Sequence, residues 1–271
     1  MVTKTEELYT LLLPIRVVRF DEIVEKAKGI VEAAPSRRYI YRKYVRRLVG
    51  EGRLQRVRKG LYVVLYPLER PGEHVADKLL IASKVRDEYY LGFHTALEYY
   101  GCAHSLYNEA YVCVKVEDRF DPFHYGRFSF KPVFVEDTNL EVDKKNYLGH
   151  ALMVSNKEKT FLDCLDRVKY AGGWEECLRS LEGLGGLDFR KLINLLLRTG
   201  RDGLFRRAGY VLELLRKHSS FYEHLNDQLL DKISEQISGP PQYLVRGELG
   251  PLKERWRLYV PSDFEEKLRG I

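Results

Sequence analysis

The stretch Ser36–Leu65, SRRYIYRKYVRRLVGEGRLQRVRKGLYVVL, decides how the first part of the chain folds. Between Ser36 and Lys59 ten residues are Arg or Lys and only Glu51 is acidic, a net +9 against +6 for all 271 residues. The rest of the chain is therefore slightly acidic, and the positive charge is one concentrated patch. Ser36 is a good N-cap residue, and Gly50 and Gly52 are stop signals, so the spacing predicts a helix from Ser36 to about Val49. At about 100° per residue, Ile40, Tyr41, Tyr44, Val45 and Leu48 share one face of that helix. Arg38, Arg42, Lys43, Arg46 and Arg47, with Tyr39 among them, share the other. After Gly52, residues 53–57 and 61–65 read as two short strands around a turn at Arg58-Lys59-Gly60, where Gly60 supplies the positive φ of a tight hairpin. Arg56, Arg58 and Lys59 put charge on the strand and the tip. A helix with one cationic face followed by a basic hairpin is the pattern of the recognition helix and wing of a winged helix-turn-helix.

Working outward, residues 5–13 and 21–28 read as two short helices around a break at Pro14, with Asp21 as the N-cap of the second. Residues 29–35 connect them to the basic helix, a longer link than a tight helix-turn-helix uses. The Pro-Gly-punctuated segment from 67 to 72 marks a linker. This gives residues 1–66 as a winged helix-turn-helix domain, 67–72 as linker and 73–271 as a second, mixed α/β domain, for an α+β chain that is mostly helical towards its end. In the second domain helices are expected at 73–87 and 94–100 and strands at 110–116, 128–135 and 150–154. Helices follow at 156–168, 173–182, 188–199, 203–217 and 221–237, with a last strand at 255–260.

Composition narrows the class. The apolar fraction of 45% is enough for real cores. No run of about 18 apolar residues exists, and the N-terminus lacks a signal-peptide pattern, so a cytoplasmic protein without a membrane partner is expected. Cys102, Cys113, Cys164 and Cys177 show no C-x-x-C pairing, which points to buried reduced thiols rather than zinc.

The patch could in principle be a solvated surface, but its confinement to one helical face and its bias to Arg favour duplex DNA, since Arg pairs bidentately with guanine edges and phosphates. Arg38, Tyr39, Arg42, Lys43 and Arg46 are expected at the major groove, with Arg47 on the same face. Arg56, Arg58 and Lys59 are expected on phosphate or in the minor groove. Competing chemistry is thin. Glu141, Asp143 and Lys145 with Asp121 or Asp137 imitate a nuclease metal site, but the upstream partner is arbitrary. No pair of carboxylates on a strand suits a nucleotidyltransferase. Asp163 and Asp166 sit at helical spacing, where ion pairs with Lys159 and Arg167 are expected. His94, His104 and His124 lack metal or triad spacing, and no Gly-rich phosphate loop occurs. No cofactor, metal or catalytic residue is expected.

Four segments resemble the AbiEi family of antitoxin-type transcriptional regulators. They are Arg58–Val63 (RKGLYV), Gly92–Gly101 (GFHTALEYYG), Ser155–Gly173 (SNKEKTFLDCLDRVKYAGG) and Arg207–Leu215 (RAGYVLELL). The resemblance implies an N-terminal DNA-binding domain and a C-terminal domain that opposes a nucleotidyltransferase-like toxin, with autorepression of the shared operon. Within the third segment, Glu158 and Asp163 read as helix-organising, and Gly172-Gly173 as the stop of one helix and start of the next. The alternatives are a stand-alone regulator acting on the transcription machinery and, more remotely, a metal-dependent nuclease.

Overall fold

The computed structural model describes residues 2–31, 35–73 and 76–266. Residues 32–34 of the 29–35 connection and 74–75 of the expected 73–87 helix lie outside the described residues. The fold is mixed α+β, and the chain divides into two units. The first comprises Met1–Tyr90, Asn108–Thr138 and Lys144–Met153; the second comprises Leu91–Tyr107, Asn139–Asp143 and Val154–Ile271.

The first unit begins with α1 (Lys4–Leu12), β1 (Val17–Arg19) and α2 (Phe20–Lys28). It continues with α3 (Arg37–Ile40), a π-helical turn (Tyr41–Val45), α4 (Arg46–Gly50), β2 (Leu54–Arg58) and β3 (Leu61–Val64). Thr3 caps α1 through its side chain, which accepts from the Glu6 N–H at 3.2 Å. The N-cap of α2 is Arg19 rather than Asp21, because the chain leaves β1 still extended at Arg19. The Glu22 carboxylate accepts from the Arg19 N–H at 2.8 Å, and Asp21 pairs with Arg37 instead. Ser36 caps the basic helix as expected, accepting from the Tyr39 N–H at 3.2 Å.

The three strands form an antiparallel sheet of order β1-β3-β2. One face carries Val18, Leu54, Tyr62 and Val64 into a core shared with Leu8, Leu12, Ile23, Ile40, Tyr44, Val45 and Leu48. The opposite face carries Val17, Leu61 and Val63, which are also buried. A sheet apolar on both faces needs a cover on each, so this segment is not free-standing. The expected boundary at 67–72 falls inside the first unit, and the linker is fastened. The Arg16 guanidinium grips Glu69 bidentately (2.9 and 3.0 Å) and lies 3.8 Å from the Tyr66 ring centroid.

Farther on come α5 (Lys78–Ser83), β4 (Tyr90–Leu91), α6 (Phe93–Tyr99), β5 (Glu109–Val114), β6 (Phe123–Tyr125), β7 (Phe128–Phe134), β8 (Val142–Tyr147) and β9 (His150–Ser155). Their six-stranded sheet has the order β6-β7-β5-β4-β9-β8. β5 and β7 run parallel, and β6 and β7 antiparallel. The helix expected over 73–87 is shorter because Asp77 caps it, accepting from the N–H groups of Leu79 and Leu80.

The second unit is largely helical: α7 (Lys157–Asp166), α8 (Trp174–Glu182), α9 (Phe189–Arg198), α10 (Asp202–His218) and α11 (Asp227–Ser234). The pairs β10 (Gln242–Tyr243), β11 (Leu252–Lys253) and β12 (Leu258–Tyr259) make a small sheet of order β10-β12-β11. The strand expected at 255–260 survives only as β12, since Glu254–Trp256 forms a 3₁₀ turn. That turn lays Trp256, fully buried, across Gly209 of α10. A Cβ at Gly209 would come within 2.0 Å of the indole, so only glycine admits this packing.

Candidate nucleic-acid interface

The basic helix separates its residues into two lines. Ile40, Tyr44 and Leu48 are buried to 2% exposure or less, and Val45 to 1%. Arg38, Arg42, Lys43, Arg46 and Arg47 are exposed, and Tyr39 is 40% exposed. Tyr41, grouped by angle with the packing face, is 41% exposed and meets Phe20 edge-on. The angle estimate misplaced it because the helix is not regular. The Arg46 N–H donates to the Tyr41 carbonyl, five residues back, closing a π-turn in mid-helix.

The cations are not equivalent. Arg47 is paired with Glu51 at 2.7 Å and Arg37 with Asp21. Lys43 Nζ donates to the Tyr39 hydroxyl at 2.6 Å, and that hydrogen bond is the main cause that raises the Lys43 pKa. Arg38, Arg42 and Arg46 have no acidic partner among the described residues. Ser36, Arg38, Tyr39, Arg42 and Lys43 line one open groove, and a second is lined by Tyr41, Val45, Arg46, Val49, Arg56 and Tyr62.

The hairpin differs from expectation at one residue. A bulge at Val57 shifts the register, pairing Arg56 with Tyr62 and Arg58 with Leu61. The extra residue turns Arg58 to the face opposite Arg56. Arg56 and Lys59 are exposed. Arg58 is half-buried, its guanidinium 4.7 Å from the Phe123 ring centroid, with one terminal nitrogen buried and without a hydrogen-bond partner among the described residues. Burial lowers its pKa, with Arg86 adding to the effect and Asp121 opposing it. Arg58 is thus a packing residue of the first unit.

Glu141 is held by Lys191 at 2.7 Å and by Asn156; the Lys191 interaction is the main cause that lowers its pKa. Asp143 and Lys145 lie within β8, and among the described residues no group of three His, Cys, Asp or Glu is placed to hold a metal. Lys159 meets Asp163 at 3.3 Å as expected. Asp166 instead pairs with Arg201 at 2.6 Å, while Arg167 sits 4.9 Å over the Phe93 ring. The cysteines are free thiols, three of them buried. Among the described residues no helix is long and apolar enough to cross a membrane.

A buried polar cluster in the second unit gave no usable signal in the sequence. His94 Nε2 lies 3.0 Å from Glu176 Oε1, and its ring stacks on Tyr107 at 4.0 Å. Its Nδ1 is 3.3 Å from Glu98, within ion-pair range but not aligned for a hydrogen bond. The Ser105 N–H and Ser180 hydroxyl also donate to Glu176. Burial alone would raise the Glu176 pKa; the bonds from Ser105 and His94 outweigh it and leave it lowered. The partners are some 80 residues apart in sequence, so no local motif announces them.

No family model and no curated protein matches the chain. Among solved structures it is similar to the RV2827C protein from Mycobacterium tuberculosis, with a TM-score of 0.67 and 13% identity. That similarity covers 100% of this chain and 96% of that one. At this identity the likeness establishes the fold alone, and the same α+β architecture extends along both chains.

Proposed function

We propose that the protein is a double-stranded DNA-binding transcriptional regulator, with the helix at 37–50 in the major groove and the β2–β3 hairpin as a wing. The reading rests on one observation above all: Arg38, Arg42 and Arg46 lie exposed, without acidic partners among the described residues, on a helix whose opposite face is core. Unpaired cations on the exposed side of a packed helix suit a polyanion. The element order helix–strand–helix–helix–strand–strand and the sheet order β1-β3-β2 support a winged helix-turn-helix. Arg56 and Lys59 of the hairpin then meet phosphate, while Arg58 fixes the hairpin in place.

On the sequence resemblance, the chain is further proposed to be the antitoxin and autorepressor of an operon encoding a nucleotidyltransferase-like toxin. On this reading the toxin is opposed through a surface of the second unit. A mobility shift with DNA from upstream of the protein's own gene tests the binding claim. The wild type should retard it, and the Arg38→Ala/Arg42→Ala/Arg46→Ala variant should not. Equal retardation by both folded proteins would refute the reading. Co-expression with an adjacent nucleotidyltransferase-like gene tests the second claim by growth rescue.

A further inference from the structure

The basic helix repeats in fours. Its buried line is Ile40, Tyr44, Leu48, and its cationic line is Arg38, Arg42, Arg46, which have no acidic partner among the described residues. In a regular α-helix of about 3.6 residues per turn, each step of four advances roughly 40° around the axis, so three residues would fan over about 80°. The π-turn halves that fan. A π-turn holds nearly one residue more than an α-turn, so one of each takes about eight residues through two full turns. Residues eight apart then return to about the same azimuth, and the middle residue of each line stays within about 40° of it. The turn's defining bond, from the Arg46 N–H to the Tyr41 carbonyl, lies between the second and third arginines.

We infer that the π-turn gathers Arg38, Arg42 and Arg46 onto one narrow face, a reader for guanines within three to four consecutive base pairs. The inference rests on the proposed DNA binding and names the sequence class that the same surface takes. Eight residues rise about 12 Å along a helix, which matches three to four steps of about 3.4 Å along one DNA strand. Arg is the residue that grips guanine O6 and N7 bidentately in the major groove, and a guanidinium already committed to a carboxylate cannot do so. The structure separates the two kinds: Arg37 and Arg47 are committed, while the three arginines on the line have no acidic partner among the described residues. Arg38 adds an independent sign. It stands in the first turn of its helix, where the dipole disfavours a cation, with no acidic residue in that turn. Lys43, drawn to the Tyr39 hydroxyl, belongs beside the line.

The test is selection of duplexes from a randomised pool by the full chain, repeated with Arg38→Ala, Arg42→Ala, Arg46→Ala and Arg47→Ala. The wild type is expected to select guanines within a stretch of three to four base pairs. Each of the first three variants is expected to lose about ten-fold or more discrimination at one position of that stretch, in the order 38, 42, 46 along it. Arg47→Ala should leave the selected sequence unchanged. If the three variants weaken binding to every duplex alike with the preference intact, they are phosphate contacts and this inference falls, while DNA binding stands. If the wild type retains no duplex at all, both readings fall.

Discussion

Arg38 and Arg58 differ only in setting, and the setting reverses what each does. Arg38 sits exposed near a helix N-terminus with no acidic neighbour in the first turn. Removing its charge should relieve a dipole conflict of about 0.3–1 kcal/mol. Arg38→Ala is therefore expected to raise the thermal midpoint slightly while weakening DNA binding, a trade common at functional positions. Arg58 is packed on Phe123. Arg58→Ala should lower the midpoint by the loss of a partly desolvated cation–π contact, about 1–2 kcal/mol, and leave DNA affinity within about two-fold. Thermal melts paired with binding titrations separate the two behaviours. Glu176 is the buried counterpart in the second unit. Its folded pKa lies below the ordinary 4.5, so its contribution is fully present above that value and is lost as pH falls through the folded pKa. Glu176→Ala strands His94, the Ser105 N–H and the Ser180 hydroxyl, and should destabilise the protein by about 3 kcal/mol or more at neutral pH. Acid titration of stability should lose part of its slope below pH 4.5 in that variant.

At the scale of elements, the basic helix and hairpin were legible because their signals are local: Ser36 as cap, glycines as stops and charge confined to one azimuth. What escaped was the departure from regularity. Both four-residue lines are written in the sequence, but an angle of 100° per residue spreads them and wrongly assigns Tyr41 to the packing side. The bulge at Val57 was equally silent, since an inserted residue is visible only once its partner strand is known. β1 and β4, at three and two residues, are too short for periodicity to show. Along α10 the decisive residue is Gly209, whose neighbour Trp256 arrives from 47 positions later. Gly209→Ala should cost about 3 kcal/mol or more in denaturant unfolding, because the methyl group and the indole cannot both fit. A change below about 1 kcal/mol would show that the Trp256 ring is free to move aside.

For the whole molecule, the sequence located the charge but not the division of the chain. Proline and glycine at 67–72 suggested a tether, whereas Arg16 fastens that segment and the first unit continues through residues far beyond it. A double-sided apolar sheet explains why, and its second face (Val17, Leu61, Val63) alternates with the first along β1 and β3. The consequence is that the basic helix and hairpin are built into a larger unit instead of hanging from a linker. On the proposed reading, this unit meets duplex DNA through Arg38, Arg42 and Arg46, which have no acidic partner among the described residues. Anisotropy titrations of the protein's own upstream duplex across a range of salt concentrations test it most directly. Log affinity is expected to fall linearly with log salt with a slope of about −2 or steeper, and the Arg38→Ala/Arg42→Ala/Arg46→Ala variant is expected to bind at least about a hundred-fold more weakly. Salt-independent binding, or a folded triple variant as tight as the wild type, would contradict it.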